Sequence, residues 1–130
     1  MEKAEYDKLT DQIIASAIEV HRELGPGLLE SVYEVCLVKE LQKRGLAVEQ
    51  QVLVPVVYKN EKLQKEFFID VLVEKEIVVE LKAVEILLPV HEVQLITYLK
   101  LADKRLGLLL NFNVPVLKDG IRRKVNRLIE

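Results

Sequence analysis

The sequence predicts a mixed α/β (α+β) fold, with elements in the order α-α-β-β-β-α-β followed by a tail. Two observations carry this. Apolar residues recur at helical spacing before residue 45 and again over 90–103, whereas between 48 and 84 they follow a period of two. In addition, "RLGLLLNF" (105–112) is continuously apolar, as suits a strand covered on both faces. About four strands and three helices are expected.

The first helix is expected over 8–23, where Leu9, Ile13, Ile14, Ala17, Ile18 and Leu24 fall on one stripe, with Thr10 or Asp11 as its cap. "LGPG" (24–27) ends it with a sharp corner. A second helix follows over about 28–44, with Leu29, Val32, Tyr33, Cys36, Leu37 and Leu41 on one face and Gly45 as its stop. "VEQQVLVPVVYKN" reads as a strand in which Pro55 marks an edge or a bulge. "EKLQKEFFIDVLV" and "EIVVELKAV" are the next two strands. A helix over 90–103 uses Val93, Ile96, Leu99 and Leu101, and the strand 105–112 comes next. The tail carries Lys118, Arg122, Arg123, Lys124 and Arg127 against Asp119 and Glu130; its secondary structure is left open.

Composition bounds the function. A chain of 130 residues, half of them hydrophobic and 31% charged, suits one domain spanning 1–130 and excludes a disordered protein. The net charge of −2 gives no global basic field, so any polyanion site must come from a local patch or a bound cation. The single cysteine, Cys36, rules out an internal disulfide and reads as a small core residue. No apolar run approaches the roughly 18 residues of a membrane span, and no leader is evident; no membrane contact and a cytoplasmic location are expected.

Charges inside the strands point to chemistry. Alternation puts Phe67, Ile69, Val71 and Val73 on one face, and Ile77, Val79, Leu81 and Ala83 on one face of the next strand. A three-residue turn at 74–76 pairs Val73 with Ile77 and Val71 with Val79, which sets Asp70 opposite Glu80 on the other face, with Lys82 two residues on. Opposed carboxylates repel unless something sits between them. A hard divalent cation such as Mg²⁺ takes oxygen ligands of this kind, and a lysine beside it can contact a phosphate oxygen or an attacking water. A Lys82 salt bridge to either acid, or a surface-facing sheet edge, would also explain the three residues.

The helices add a polar stripe. Gln94 and Tyr98 share a face at i, i+4, with His91 one turn earlier. Packed over the polar sheet face they would overhang the carboxylates, although Tyr98 alone suits a half-buried tyrosine with a wet hydroxyl. Glu30 lies in the first turn of its helix, where the helix dipole already favours an acid; it could also reach the site as a third oxygen ligand. His21, near a helix end, reads first as structural.

"GLLESVY" (27–33) matches the pattern G-x-x-E-x-x-Y, and "ELK" (80–82), "QLITYLK" (94–100) and "LGLLLNF" (106–112) follow in order. In these motifs, from about His21 to Asn113, the chain resembles the GxxExxY proteins of the PD-(D/E)XK nuclease-like superfamily. The resemblance implies a restriction-endonuclease-like core with a central mixed sheet flanked by helices. It implies Asp70 and Glu80 as ligands of Mg²⁺ or Mn²⁺, the Leu81 carbonyl as a further ligand, Glu30 as a third acid, and Lys82 as the catalytic lysine. Gln94 and Tyr98 would stand beside them, with His21 and Tyr33 in support. Ile69 replaces the proline of the namesake motif, which removes no ligand. The implied function is metal-dependent hydrolysis of nucleic-acid phosphodiesters, DNA before RNA; the sparse basic surface suggests work in a larger complex, and the apolar content of so short a chain suggests a homo-oligomer. The alternative is a nuclease-fold module that binds without cutting.

Overall fold

A computed structural model describes residues 1–127. Helix α1 (Lys3–Leu24) and helix α2 (Glu30–Lys43) precede strands β1 (Val48–Tyr58), β2 (Glu61–Val73) and β3 (Ile77–Lys82). Helix α3 (Pro89–Ala102), strand β4 (Leu106–Asn111), a single 3₁₀ turn (Leu117–Gly120) and strand β5 (Ile121–Val125) complete the chain. One mixed sheet runs β1-β2-β3-β4-β5, in which only the β3–β4 pair is parallel. That pair is joined by α3, because a parallel connection needs a crossover. No helix among the described residues is long and apolar enough to cross a membrane.

Helix α1 begins five residues earlier than its apolar stripe suggested. Its cap is Glu2, whose N–H donates to the Glu5 carboxylate (3.4 Å), rather than Thr10 or Asp11. The core stripe extends back through Tyr6, which is buried with Leu9, Ile13 and Ala17. Thr10 is therefore buried in mid-helix, and its hydroxyl has no hydrogen-bond partner among the described residues. The corner after α1 is closed by Tyr33 of α2. Its hydroxyl donates to the Gly25 carbonyl (2.5 Å) and accepts from the Leu28 N–H (3.1 Å), while Gly25 and Gly27 take positive φ. On α2, Tyr33, Leu37, Val38 and Leu41 face the core, whereas Leu29 and Val32 are exposed.

Edge strand β1 slips register between Pro55 and Val57, so Pro55 marks both an edge and a bulge. The β2–β3 turn has the expected register, Val73 opposite Ile77 and Val71 opposite Val79. It is made by Glu74 and Lys75 in the left-handed region (φ 53° and 58°), with the Glu76 N–H donating to the Val73 carbonyl. The tail forms a fifth strand, β5, antiparallel to β4; Glu130 lies outside the described residues.

Apolar layers cover both faces of the sheet. Val71, Val73, Ile77, Val79, Leu81, Leu106, Leu108 and Leu110 pack against α1 and α2. Val54, Ile69, Leu72, Val78 and Leu109 pack against Leu95 and Leu99 of α3. The expected face assignment of β2 is thereby corrected. Ile69, with Phe67 beside it, belongs to the α3 side, while Val71 and Val73 belong to the other. Strand β1 does the same: Val48 joins the α1/α2 layer, but Val52 and Val54 join the α3 layer. Residues of equal parity can lie on opposite faces only if the strand turns over between them. The turnover falls at Gln51, a left-handed residue (φ 49°) at the register position of Asp70.

Helix α3 also differs from its expected stripe. Leu95 and Leu99 face inward, and Val93 and Leu101 are exposed. The helix seats on Gly107 of β4, where an added Cβ would stand 2.8 Å from Leu95 Cδ1. The close approach needs a residue without a Cβ, and it fixes which side of α3 faces the sheet.

Candidate metal and nuclease site

Strand β3 is fully buried up to Leu81. Its odd residues, 77 to 81, feed the α1/α2 layer, so alternation aims Glu80 and Lys82 toward α3. On β2, the paired ladder with β3 stops at Val71–Val79, one step short of Asp70 and Glu80. There the Asp70 side chain takes over the pairing. Its carboxylate accepts from the Leu81 N–H (2.9 Å), and the Asp70 N–H donates to Glu80 Oε1 (3.4 Å). The same alternation puts the Leu81 carbonyl on the β2 side, beyond the end of the backbone ladder.

The two carboxyl groups lie close enough to interact directly, which favours the protonated form of one of them. Burial, then the hydrogen bond and charge of Asp70, raise the Glu80 pKa from 4.5 to about 9, only partly offset by Lys82. Glu80 is 6% exposed and keeps that proton at neutral pH. Two adjacent, largely buried carboxyl groups fit a divalent cation, which would bind their oxygens in place of a proton.

Tyr98 overlies the pair. Its ring stacks on Phe67 (4.2 Å), and burial, followed by the charges of Glu80 and Asp70, raises its pKa. Gln94 lies one turn away on the same side of α3 and is exposed. His91 acts locally, capping α3 through its Nδ1, which accepts from the Leu88 N–H (3.0 Å).

Other expected residues stand elsewhere. Glu30 is exposed at the first position of α2. No group of three or more His, Cys, Asp or Glu that could hold a metal occurs among the described residues, so Glu30 does not complete such a group with Asp70 and Glu80. Its neighbour one turn on, Glu34, accepts from Gln50 Nε2 and from Gln51 Nε2. Tyr33 and His21 lie on the opposite side of the sheet. Tyr33 stacks on Phe112 (4.5 Å), and His21 Nε2 is 2.7 Å from the Val114 carbonyl, with its ring 6.4 Å from Phe112. Their link to the site runs through Phe112, whose N–H holds the Lys82 carbonyl (2.9 Å).

Sequence reasoning missed Asn111. It is 1% exposed, beside Lys82 in the parallel register. Its side-chain amide matches both backbone groups of Val84, accepting from the N–H (3.1 Å) and donating to the carbonyl (2.9 Å). A single side chain thus extends the ladder past Lys82 and holds that strand end in place. A lone asparagine at the end of an apolar run, "LLLNF", was the only signal for it.

A model of the PD-(D/E)XK nuclease superfamily matches residues 7–124. The chain belongs to the PD-(D/E)XK nuclease superfamily. The five-stranded mixed sheet with flanking helices is a restriction-endonuclease-like arrangement, one strand larger than expected. Superfamily membership points to nuclease-like chemistry, to divalent metal ions and to nucleic acid as the partner class. No curated protein and no solved structure gave a significant match.

The basic tail is engaged within this superfamily domain. Glu92 of α3 pairs with Lys124 (2.6 Å) and Arg122 (4.0 Å), Asp7 with Arg123 (3.3 Å), and Asp103 with Arg127 (3.2 Å).

Proposed function

We propose that the protein is a Mg²⁺- or Mn²⁺-dependent phosphodiester hydrolase of the GxxExxY type, acting in the cytoplasm on nucleic acid, DNA before RNA. The carrying observation is that Glu80, on the same sheet face as Lys82, is buried against Asp70, whose carboxylate accepts from the Leu81 N–H. Asp70, Glu80 and the Leu81 carbonyl would hold the cation, with Glu30 as an outer acid. When bound, such an ion polarises phosphate oxygens and acidifies a coordinated water.

The chain's own residues have definable roles. Glu80 would have to release its proton to solvent for its carboxylate to serve as a ligand. The Lys82 ammonium donates to a phosphate oxygen or orients the attacking water, and it stabilises the charge that develops in the transition state. The Tyr98 hydroxyl and the Gln94 amide supply donors at the α3 wall for the substrate backbone. His21 and Tyr33 act through Phe112 on the Lys82 peptide.

Titration calorimetry with Mn²⁺ and cleavage of labelled single- and double-stranded DNA and RNA test this reading. A site lost in Asp70→Asn, with cleavage lost in Lys82→Ala, is the expected result. Wild-type protein that cleaves no better than Lys82→Ala across several metals sinks the catalytic part.

One observation favours a second reading, a nuclease-fold module that binds without cutting. Backbone contacts dominate nucleic-acid affinity, yet Arg122, Arg123, Lys124 and Arg127 are paired to acids. Exposed apolar side chains on α2 (Leu29, Val35) and around the start of α3 (Ile86, Val90, Val93) support work in a homo-oligomer or larger complex. Mn²⁺ binding without cleavage of any substrate would select this reading.

A further inference from the structure

Gln51 lies in the middle of an eleven-residue strand, yet its φ is 49°. An L residue rarely adopts that conformation. Its neighbours pair normally, Gln50 with Val71 and Val52 with Ile69, while Gln51 and Asp70 face each other unpaired. At this same level both strands exchange faces, Val48 and Val71 packing toward α1 and α2, Val52 and Ile69 toward α3. Gln51 Nε2 lies 3.0 Å and 3.2 Å from the two Glu34 oxygens, and Gln50 Nε2 donates to the same carboxylate (3.0 Å). Bonds to a carboxylate are among the stronger ones and can hold a strained backbone.

The strand turnover decides where Asp70 points. In a regular strand its side chain would stand perpendicular to the sheet, and a backbone carbonyl of β2 would meet β3. Here the carboxylate itself reaches β3 and accepts from the Leu81 N–H. We propose that Gln51, tied to α2 by Glu34, is a positioning residue that turns β1 and β2 over and so delivers Asp70 to Glu80. The proposal rests on the reading of that pair as a cation site and deepens it. It assigns α2 a part in assembling the site through Glu34, one turn from Glu30.

The test compares substitutions that differ in their tolerance of positive φ. Gln51→Gly keeps the conformation without strain, whereas Gln51→Val resists it. One readout is Mn²⁺ affinity by calorimetry. The other is hydrogen exchange of the Leu81 amide in metal-free protein, with Leu108 as a core control. Expected for Gln51→Val is about tenfold weaker Mn²⁺ binding and about tenfold faster Leu81 exchange, with Leu108 unchanged. Gln51→Gly should restore both to about wild-type values. Glu34→Ala should weaken Mn²⁺ binding in the wild-type background and have a smaller effect in Gln51→Gly, where only the Gln50 bond to Glu34 remains to be lost.

Leu81 exchange in Gln51→Val equal to that of the wild type overturns the proposal. So does failure of Gln51→Gly to restore it. If Val at 51 prevents folding, the Glu34→Ala comparison decides alone, and equal Leu81 exchange with and without Glu34 is the overturning result. A wild type that binds no Mn²⁺ defeats the cation reading instead, and the Leu81 exchange still decides whether Gln51 positions Asp70.

Discussion

Glu80 is the residue on which pH should act most strongly. Its folded pKa of about 9 stands above the 4.5 of an unperturbed glutamate. Between those values the folded chain holds a proton that the unfolded chain releases. The stability this contributes is complete below about pH 4.5 and is lost as pH rises toward 9. In EDTA, the thermal midpoint should therefore fall from pH 5 to pH 9, and Glu80→Gln should flatten the profile and stabilise the protein at pH 8 by on the order of 1 kcal/mol. The same substitution should weaken Mn²⁺ binding, so stability and metal affinity move in opposite directions. A pH profile of Glu80→Gln parallel to that of the wild type would show that the proton is held elsewhere. For Lys82 the expectation is kinetic. Lys82→Met keeps the length and removes the charge, and should lower cleavage about a hundredfold or more with Mn²⁺ affinity little changed.

Among the elements, α3 is the one whose seating matters most to the site, because it carries Gln94 and Tyr98 over the sheet. Its contact with β4 depends on Gly107. Leu95 and Leu99, the side chains a Cβ would meet, are 1% and 0% exposed, so they could yield only by shifting within the packed layer. Gly107→Ala should cost about 1–3 kcal/mol in denaturant unfolding. By lifting α3 it should also weaken the Tyr98–Phe67 stack, which the near-ultraviolet signal of Tyr98 would report. The elements were legible where one period persisted: α2, α3 and β4 lie within two residues of their expected ends. They were not legible where a short-range rule gave way. The stripe on α1 placed its start too late because Tyr6, a large core residue, sits among polar neighbours. The tail hid β5 because an edge strand that pairs on one side needs no apolar run, and "IRRKV" meets its acids only in three dimensions.

At the scale of the whole molecule, charge placement sets the expected grip on nucleic acid. Glu92 holds Lys124 closest, and the carboxyl's pKa is lowered mainly by that bond. Such exposed pairs add little to stability, but they occupy cations that a polyanion would need. Glu92→Gln should leave the fold intact and raise non-specific DNA affinity by a few-fold, with a steeper salt dependence in filter binding or anisotropy. An unchanged salt slope would mean that the β5 cations do not face the polymer. Asp70, Glu80, Lys82 and the Gln94–Tyr98 stripe could be named from the sequence because each rests on local spacing: a two-residue period, a three-residue turn, an i, i+4 step. By itself the sequence thus determined the register that brings β2 and β3 together and which polar residues those strands and α3 carry. Only the tertiary structure decided that Ile69 and Val71 face opposite layers, that Asp70 turns into the ladder beside Glu80, and that Asn111 anchors the chain just past the end of β3. Those outcomes depend on one left-handed residue and on contacts between distant parts of the chain. Periodicity, a property of neighbours, carries no information about either.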